Sequence, residues 1–232
     1  MGQSTNSGAA RLGTRLRGNL ASEYALRGHQ TYSLWYVYSP KTNRDWVLAG
    51  DLAWAHFLLV ESTPGILAVD YSSQHIETDC SAGSSSVRRD AVVTFADGAV
   101  EWRRISIAKE ELGGGSDVLA TLASSRGARY ALYTERELFA CPQHIQNWSR
   151  VVAWLAAVRG RSLQEEMMFV AALVDARGSV TIAEIQDGAS ASDGACRIAA
   201  AFQAIQDGVF TADLDSKPLC KNTRIQRIEH PT

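Results

Sequence analysis

Two rhythms of apolar residues run along the chain. Tyr32–Tyr38 alternates bulky side chains with a period of two, as in a strand, and Ser39-Pro40 ends it. Asp45–Val60 is apolar enough throughout to predict a buried helix, which Pro64-Gly65 breaks. Ile66–Tyr71 and Ser73–Thr78 predict short strands, and the Ser-rich stretch Cys80–Ser86 a loop. The best hairpin signal is Arg88–Phe95 and Ala99–Ile107, joined by Asp97-Gly98, a pair suited to a tight left-handed turn. A helix is expected from Lys109, interrupted at Gly113–Gly115, with a second piece over Asp117–Ser125. Tyr130–Tyr133 then predicts a further strand.

From Pro142, suited to a helix's first turn, the period lengthens. Ile145, Trp148, Val152 and Leu155 form one helix face, ended by Arg159-Gly160. Leu163, Met167, Val170 and Val174 form a second, ended by Gly178. Ile198, Phe202 and Ile205 mark a third helix, Ala195–Gln206, stopped at Asp207-Gly208, and Val209–Leu214 predicts a strand. Helix, short helix, helix and β-hairpin is the order of a winged helix-turn-helix. The expected organisation is therefore a loose basic arm over 1–30, an α/β (α+β) domain over 31–160, a winged-helix domain over 161–216 and a basic tail over 217–232.

Composition refines this picture. With 232 residues, 46% hydrophobic and 21% charged, the chain is long enough for a substantial core. Its net charge of −2 conceals +3 on residues 1–30, +3 on residues 216–232 and −8 between them. The ends thus supply the phosphate-contact candidates Arg11, Arg15, Arg17, Lys217, Lys221, Arg224 and Arg227. The third helix offers Arg197, Gln203 and Gln206 for base edges, a thin set for sequence readout. No apolar run approaches the roughly 18 residues that span a bilayer, and no apolar segment follows the first residues as in a secretory signal. Cys80, Cys141, Cys196 and Cys220 form no CxxC pair and are expected to be free thiols in a cytoplasmic protein. His29, His56, His75, His144 and His230 are scattered and read as structural rather than metal-binding. Neither a phosphate-binding Gly-x-x-x-x-Gly-Lys loop nor a Gly-x-Ser-x-Gly elbow is present.

Chemistry concentrates on the hairpin. Metal-dependent nucleases hold Mg²⁺ with two or three carboxylates and use a nearby cation to orient water and offset charge. Restriction-enzyme-like nucleases place an Asp on one strand and Glu-x-Lys on the next. Here Asp90 precedes Glu101-Trp102-Arg103 with that order, although Arg cannot give up a proton as Lys can. On spacing alone the same Asp and Glu are better read as lying on the wet face of a hairpin, paired with Arg88, Arg89, Arg103 or Arg104. Strand neighbours two apart share a face, so Glu101, Arg103 and Ile105 oppose Trp102, Arg104 and Ser106.

Residues 39–107 resemble the N-terminal nuclease domain of the TnsA family, the endonuclease subunit of heteromeric transposases. The resemblance rests on Ser39-Pro40-Lys41-Thr42-Asn43-Arg44, on Glu61-Ser62-Thr63-Pro64 after the first helix, and on the run from Arg88 to Trp102. Tyr130–Leu138, with Thr134-Glu135, and Asn147 extend it, and Arg161–Ile225 is similar to the family's winged-helix tail. It implies a restriction-endonuclease-like mixed sheet flanked by helices, Mg²⁺, transposon-end DNA, a DDE-type transposase and a transposition ATPase. It also implies a degraded site. The family's helix carries a Glu within a Glu-Ser-x-x-Glu pattern, whose places fall on Ala49, Gly50 and Ala53, with Asp51 the nearest acid. The acid-x-Lys pair falls on Arg104 and Ser106, and only Asp90 remains. The expectation is a DNA-binding transposition subunit with impaired cleavage. The alternatives are an active nuclease using Asp51, Asp90, Glu101 and Arg103 around Mg²⁺, or a winged-helix regulator.

Overall fold

The computed structural model describes residues 33–80, 83–107 and 115–229. A hairpin, β1 (Leu34–Ser39) and β2 (Arg44–Ala49), leads into helix α1 (Asp51–Ser62). The single helix expected over 45–60 is thus a strand and a helix. Trp46 and Leu48 alternate inward as in a strand, and Gly50, at φ 88°, makes the break. Next come β3 (Ile66–Asp70), a ribbon of β4 (Gln74–Cys80) and β5 (Gly83–Arg89), β6 (Ala91–Phe95) and β7 (Val100–Ser106). The start of β5 corrects the expected loop over 80–86, and the strand expected over 88–95 is two strands parted at Asp90. Helix α2 (Gly115–Ser125) crosses over to β8 (Arg129–Thr134), which runs parallel to β7 as such a crossover requires. The helix start expected at Lys109 lies outside the described residues.

The main sheet has the order β3-β6-β7-β8 and is mixed. Ala91 and Val93 turn toward α1 and pack with Phe57, Leu58 and Val60. Val92 and Trp102 turn the other way and meet Leu119 and Ala123 of α2. The two-residue pleat thus gives a helix–sheet–helix sandwich.

A one-turn helix α3 (Glu135–Leu138) precedes α4 (Pro142–Ala157), α5 (Gln164–Arg177), β9 (Ser179–Thr181), α6 (Ile182–Gln186), α7 (Ala191–Gln206), β10 (Phe210–Ala212) and β11 (Arg224–Arg227). The last sheet has the order β10-β11-β9. Two expectations are corrected here. Residues 217–232 are not a tail throughout, because β11 is the middle strand of this sheet and Ile225 is fully buried. Nor do residues 31–160 and 161–216 have separate cores. One apolar cluster runs from Val37 through Trp148 and Leu155 to Phe202 and Ile225. Helix α7 lies inside this cluster, with Cys196, Ile198, the Ala199–Phe202 run, Ala204, Ile205 and Gln206 all buried. Its alanines let neighbouring helices approach from several sides. A helix so enclosed cannot enter a DNA groove along its length, which removes Gln206 from the expected readout set.

Candidate functional site

The β2–α1 junction, the β5–β6 break and the end of β7 meet at one open cleft of about 340 Å³. Ala49, Gly50, Asp51 and Ala53 line one side, and Asp90, Arg104 and Ser106 line the other, with Arg88, Ser73 and His56. The backbone produces this meeting. Asp90 sits where the ribbon hands over to the sheet, and its N–H donates to the Arg103 carbonyl at 2.8 Å. Antiparallel register between β6 and β7 then sets Asp90 beside Arg104.

Asp90 is 7% exposed and fully engaged. Arg88 Nε donates to its Oδ1 at 2.5 Å, and the Ile105 N–H donates to Oδ2 at 2.8 Å. Asp51 Oδ1 accepts from the Trp35 indole at 3.0 Å. Arg104 Nη1 donates to the Arg88 carbonyl at 3.2 Å. Glu101 and Arg103 are not part of the cleft wall. They pair with each other at 2.8 Å, and Arg103, 3% exposed, donates to His56 Nε2 at 3.3 Å and lies 4.7 Å from the centre of the Tyr133 ring. The active-nuclease set is therefore divided: Asp51 and Asp90 share the cleft, and Glu101 and Arg103 lie behind it.

A divalent cation of the Mg²⁺ type needs about six oxygen ligands in a tight shell. Both Asp90 oxygens and one Asp51 oxygen already accept from an arginine, a backbone amide and an indole, and Arg104 of β7 lines the same cleft. This donor set does not fit Mg²⁺. Among the described residues, no cluster of three or more His, Cys, Asp or Glu side chains could hold a metal.

His56 links the cleft to the interior. It is fully buried, and its pKa is lowered to about 3 by burial and then by Arg103. Its Nε2 faces an arginine N–H and so accepts, which leaves the proton on Nδ1. That Nδ1 is buried with no hydrogen-bond partner.

The opposite end of α1 carries the buried Glu61. Ser39 Oγ donates to it at 2.5 Å, the Lys41 N–H at 3.3 Å, Tyr71 Oη at 3.4 Å and Gln206 Nε2 at 3.2 Å. Burial raises the Glu61 pKa, and these hydrogen bonds oppose that rise. Lys41 Nζ donates to the carbonyls of Thr63 and Ile66, which closes the helix end.

The remaining basic candidates are mostly engaged. Arg227 forms a fork on Asp175, Lys217 pairs with Asp213 at 3.3 Å, and Arg224 Nη1 donates to Ser179. Arg197 stacks 3.9 Å over Phe169 and donates to the Ile185 and Asp187 carbonyls. The Lys221 carbonyl accepts from Ala183 N–H, and its side chain borders an apolar groove with Trp154. Arg11, Arg15 and Arg17 lie outside the described residues. The β10–β11 loop is tied to α4: Asn147 Nδ2 donates to the Leu214 and Lys217 carbonyls, and its Oδ1 accepts from Leu219 N–H.

Sequence reasoning did not assign His56, Ser73 or Gln206 their places. The signals for His56 and Gln206 are a lone polar residue inside an apolar helix and a lone Gln at an Ala-rich helix end. Nothing local marks Ser73. No helix among the described residues is long and apolar enough to cross a membrane. No protein-family model matches the chain, and no curated protein matches it.

Proposed function

We propose that this chain is a DNA-binding, TnsA-type subunit of a transposition machinery whose nuclease cleft no longer cuts. One observation carries the reading. The positions that the resemblance assigns to catalysis, Ala49, Ala53, Asp90, Arg104 and Ser106, line one cleft although they are far apart in sequence. The architecture supports it. A helix, three antiparallel strands, a crossover helix and a parallel fourth strand make the framework that a restriction-endonuclease-like site needs. The order α5-β9-α6-α7-β10-β11 is that of a winged helix. Its third helix is enclosed and its loop is tied down, so this unit serves as a buttress and a protein-docking element for a DDE-type transposase and its ATPase.

Silence follows from charge. The one retained acid, Asp90, is neutralised by Arg88, and an arginine stands where a metal-binding acid is expected. Supercoiled and transposon-end DNA, incubated with the chain in Mg²⁺ or Mn²⁺ with and without a cognate transposase, tests the reading. The expected result is no nicking by the chain and co-purification with the transposase. Metal-dependent nicking that disappears in Asp90→Ala would establish the active nuclease instead.

A further inference from the structure

We infer that Ser62, His144 and Asp215 form a second site, one that takes the acyl group from small carboxylic esters. This inference goes beyond the transposition reading and does not depend on it. The three residues come from three elements. Ser62 is the last residue of α1, His144 lies in the first turn of α4, and Asp215 lies in the β10–β11 loop. His144 Nδ1 is 2.6 Å from Asp215 Oδ1, and its Nε2 is 2.8 Å from Ser62 Oγ. A carboxylate only accepts, so Nδ1 carries the proton of the neutral ring and Nε2 keeps a lone pair. That lone pair faces the Ser62 hydroxyl. A nucleophile, a base and a group that orients the base thus stand in the order of a Ser–His–Asp triad. Such a triad is recognised by geometry and roles rather than by sequence position.

The arrangement is held in place. Cys141 Sγ donates to the Asp215 carbonyl at 3.0 Å. Asn147 Nδ2 donates at 2.8 Å to the Leu214 carbonyl and at 2.8 Å to that of Lys217, on either side of Asp215. The buried Trp148 ring backs the imidazole at 6.1 Å. The orienting carboxylate therefore sits on a fixed backbone, which keeps the base aimed at the nucleophile.

The arrangement is also reachable. The His144 side chain is 19% exposed, that of Asp215 is 75% exposed, and Ser62 is half-buried. These exposures suit a small ester arriving from solvent rather than a long acyl chain that needs an enclosed channel. Ser62 Oγ lies 2.9 Å from the Leu59 carbonyl as well, but an amide carbonyl cannot take the proton as an imidazole can. In the first step, Ser62 Oγ bonds to the ester carbonyl carbon and its proton passes to His144 Nε2. The bond from that carbon to the leaving alcohol breaks, and the imidazolium gives the proton to the leaving oxygen. Water then attacks the acyl-Ser62 ester, passes a proton to Nε2, and Ser62 Oγ recovers it as the acid departs.

The test treats the full chain, in EDTA, with a fluorophosphonate probe and with p-nitrophenyl acetate. The expected result is one probe on Ser62, located by peptide mass spectrometry, and a burst of nitrophenolate followed by slow turnover. Ser62→Ala is expected to abolish both. His144→Gln keeps polar contacts but cannot carry the proton, and is expected to remove the burst. Asp215→Asn is expected to slow acylation at least about tenfold while leaving the thermal midpoint unchanged, a split that a merely structural contact would not give. Absence of probe on Ser62, labelling that is equal in urea, or a burst that survives Ser62→Ala overturns the site. Any of these leaves the three residues a clasp between α1, α4 and the loop, and leaves the silent-nuclease reading untouched.

Discussion

The two ends of α1 treat charge in opposite ways. At the C-terminal end a carboxylate is kept, fully buried, and surrounded by Ser39, Lys41, Tyr71 and Gln206. At the N-terminal end the acid expected of a nuclease is absent, and small residues border an open cleft. A buried acid with several donors is structural: it joins β1, α1 and α7 and fixes how the two halves of the chain meet. An acid that serves chemistry must keep lone pairs for a metal; both Asp90 oxygens already accept from Arg88 and the Ile105 N–H, and one Asp51 oxygen accepts from Trp35. Retention of an acid is thus a poor guide to catalysis, and its hydrogen-bond inventory is a better one.

The largest effect should come from breaking the closed end. Glu61→Ala leaves several buried donors without an acceptor, and we expect a loss of about 3–5 kcal/mol in urea unfolding. Glu61→Gln, which keeps the volume and one acceptor, should lose less than half of that. A second break lies one turn into α4. Asn147→Ala removes three bonds to the β10–β11 loop and should cost about 2–3 kcal/mol. Hydrogen exchange at the Leu219 amide should rise even where the fold survives.

Acidity separates the ends further. His56 is neutral in the fold down to about pH 3, and an unfolded histidine takes up its proton near 6.5. The unfolded state therefore binds more protons between those values, and stability falls as pH drops through that window by about 1.4 kcal/mol per unit. Glu61 has the opposite sign. Its raised pKa means that the fold holds the proton longer, so its contribution declines as pH rises above the ordinary value of 4.5. The two oppose each other in the interval just above pH 4.5. In His56→Gln, stability should fall with rising pH over that interval; in Glu61→Gln it should rise. Equal slopes in both variants would show that these groups do not govern acid behaviour.

The smallest effects belong to the exposed charges. Lys217→Ala breaks an exposed pair with Asp213 and should change stability by less than about 0.5 kcal/mol. If DNA enters through the cleft, Lys217→Ala should alter its affinity much less than Arg104→Gln.

The sequence made the strongly periodic elements legible. The α4 face of Ile145, Trp148, Val152 and Leu155 and the β6–β7 hairpin around Asp97-Gly98 follow directly from spacing. The division of 45–60 did not, because a continuous apolar run fits a buried strand and a buried helix alike. Residues 83–89 carry serines that pair as a ribbon through backbone bonds, which leave no apolar signature. β11 was hidden because Ile225 alone of its four residues faces the core, between Arg224 and Gln226. Helix α7 presents a polar side on paper, but its alanines admit neighbours on that side too. For the candidate site, the positions could be read from the resemblance. Their charge partners could not, because Arg88 and Trp35 reach the acids only through the fold.

The central claim is that the cleft has nuclease geometry without a seat for metal. Electron paramagnetic resonance of Mn²⁺ titrated into the full chain tests it directly. The account predicts no site tighter than about millimolar, and the same titration for Asp90→Asn. A tighter site that Asp90→Asn abolishes would contradict it.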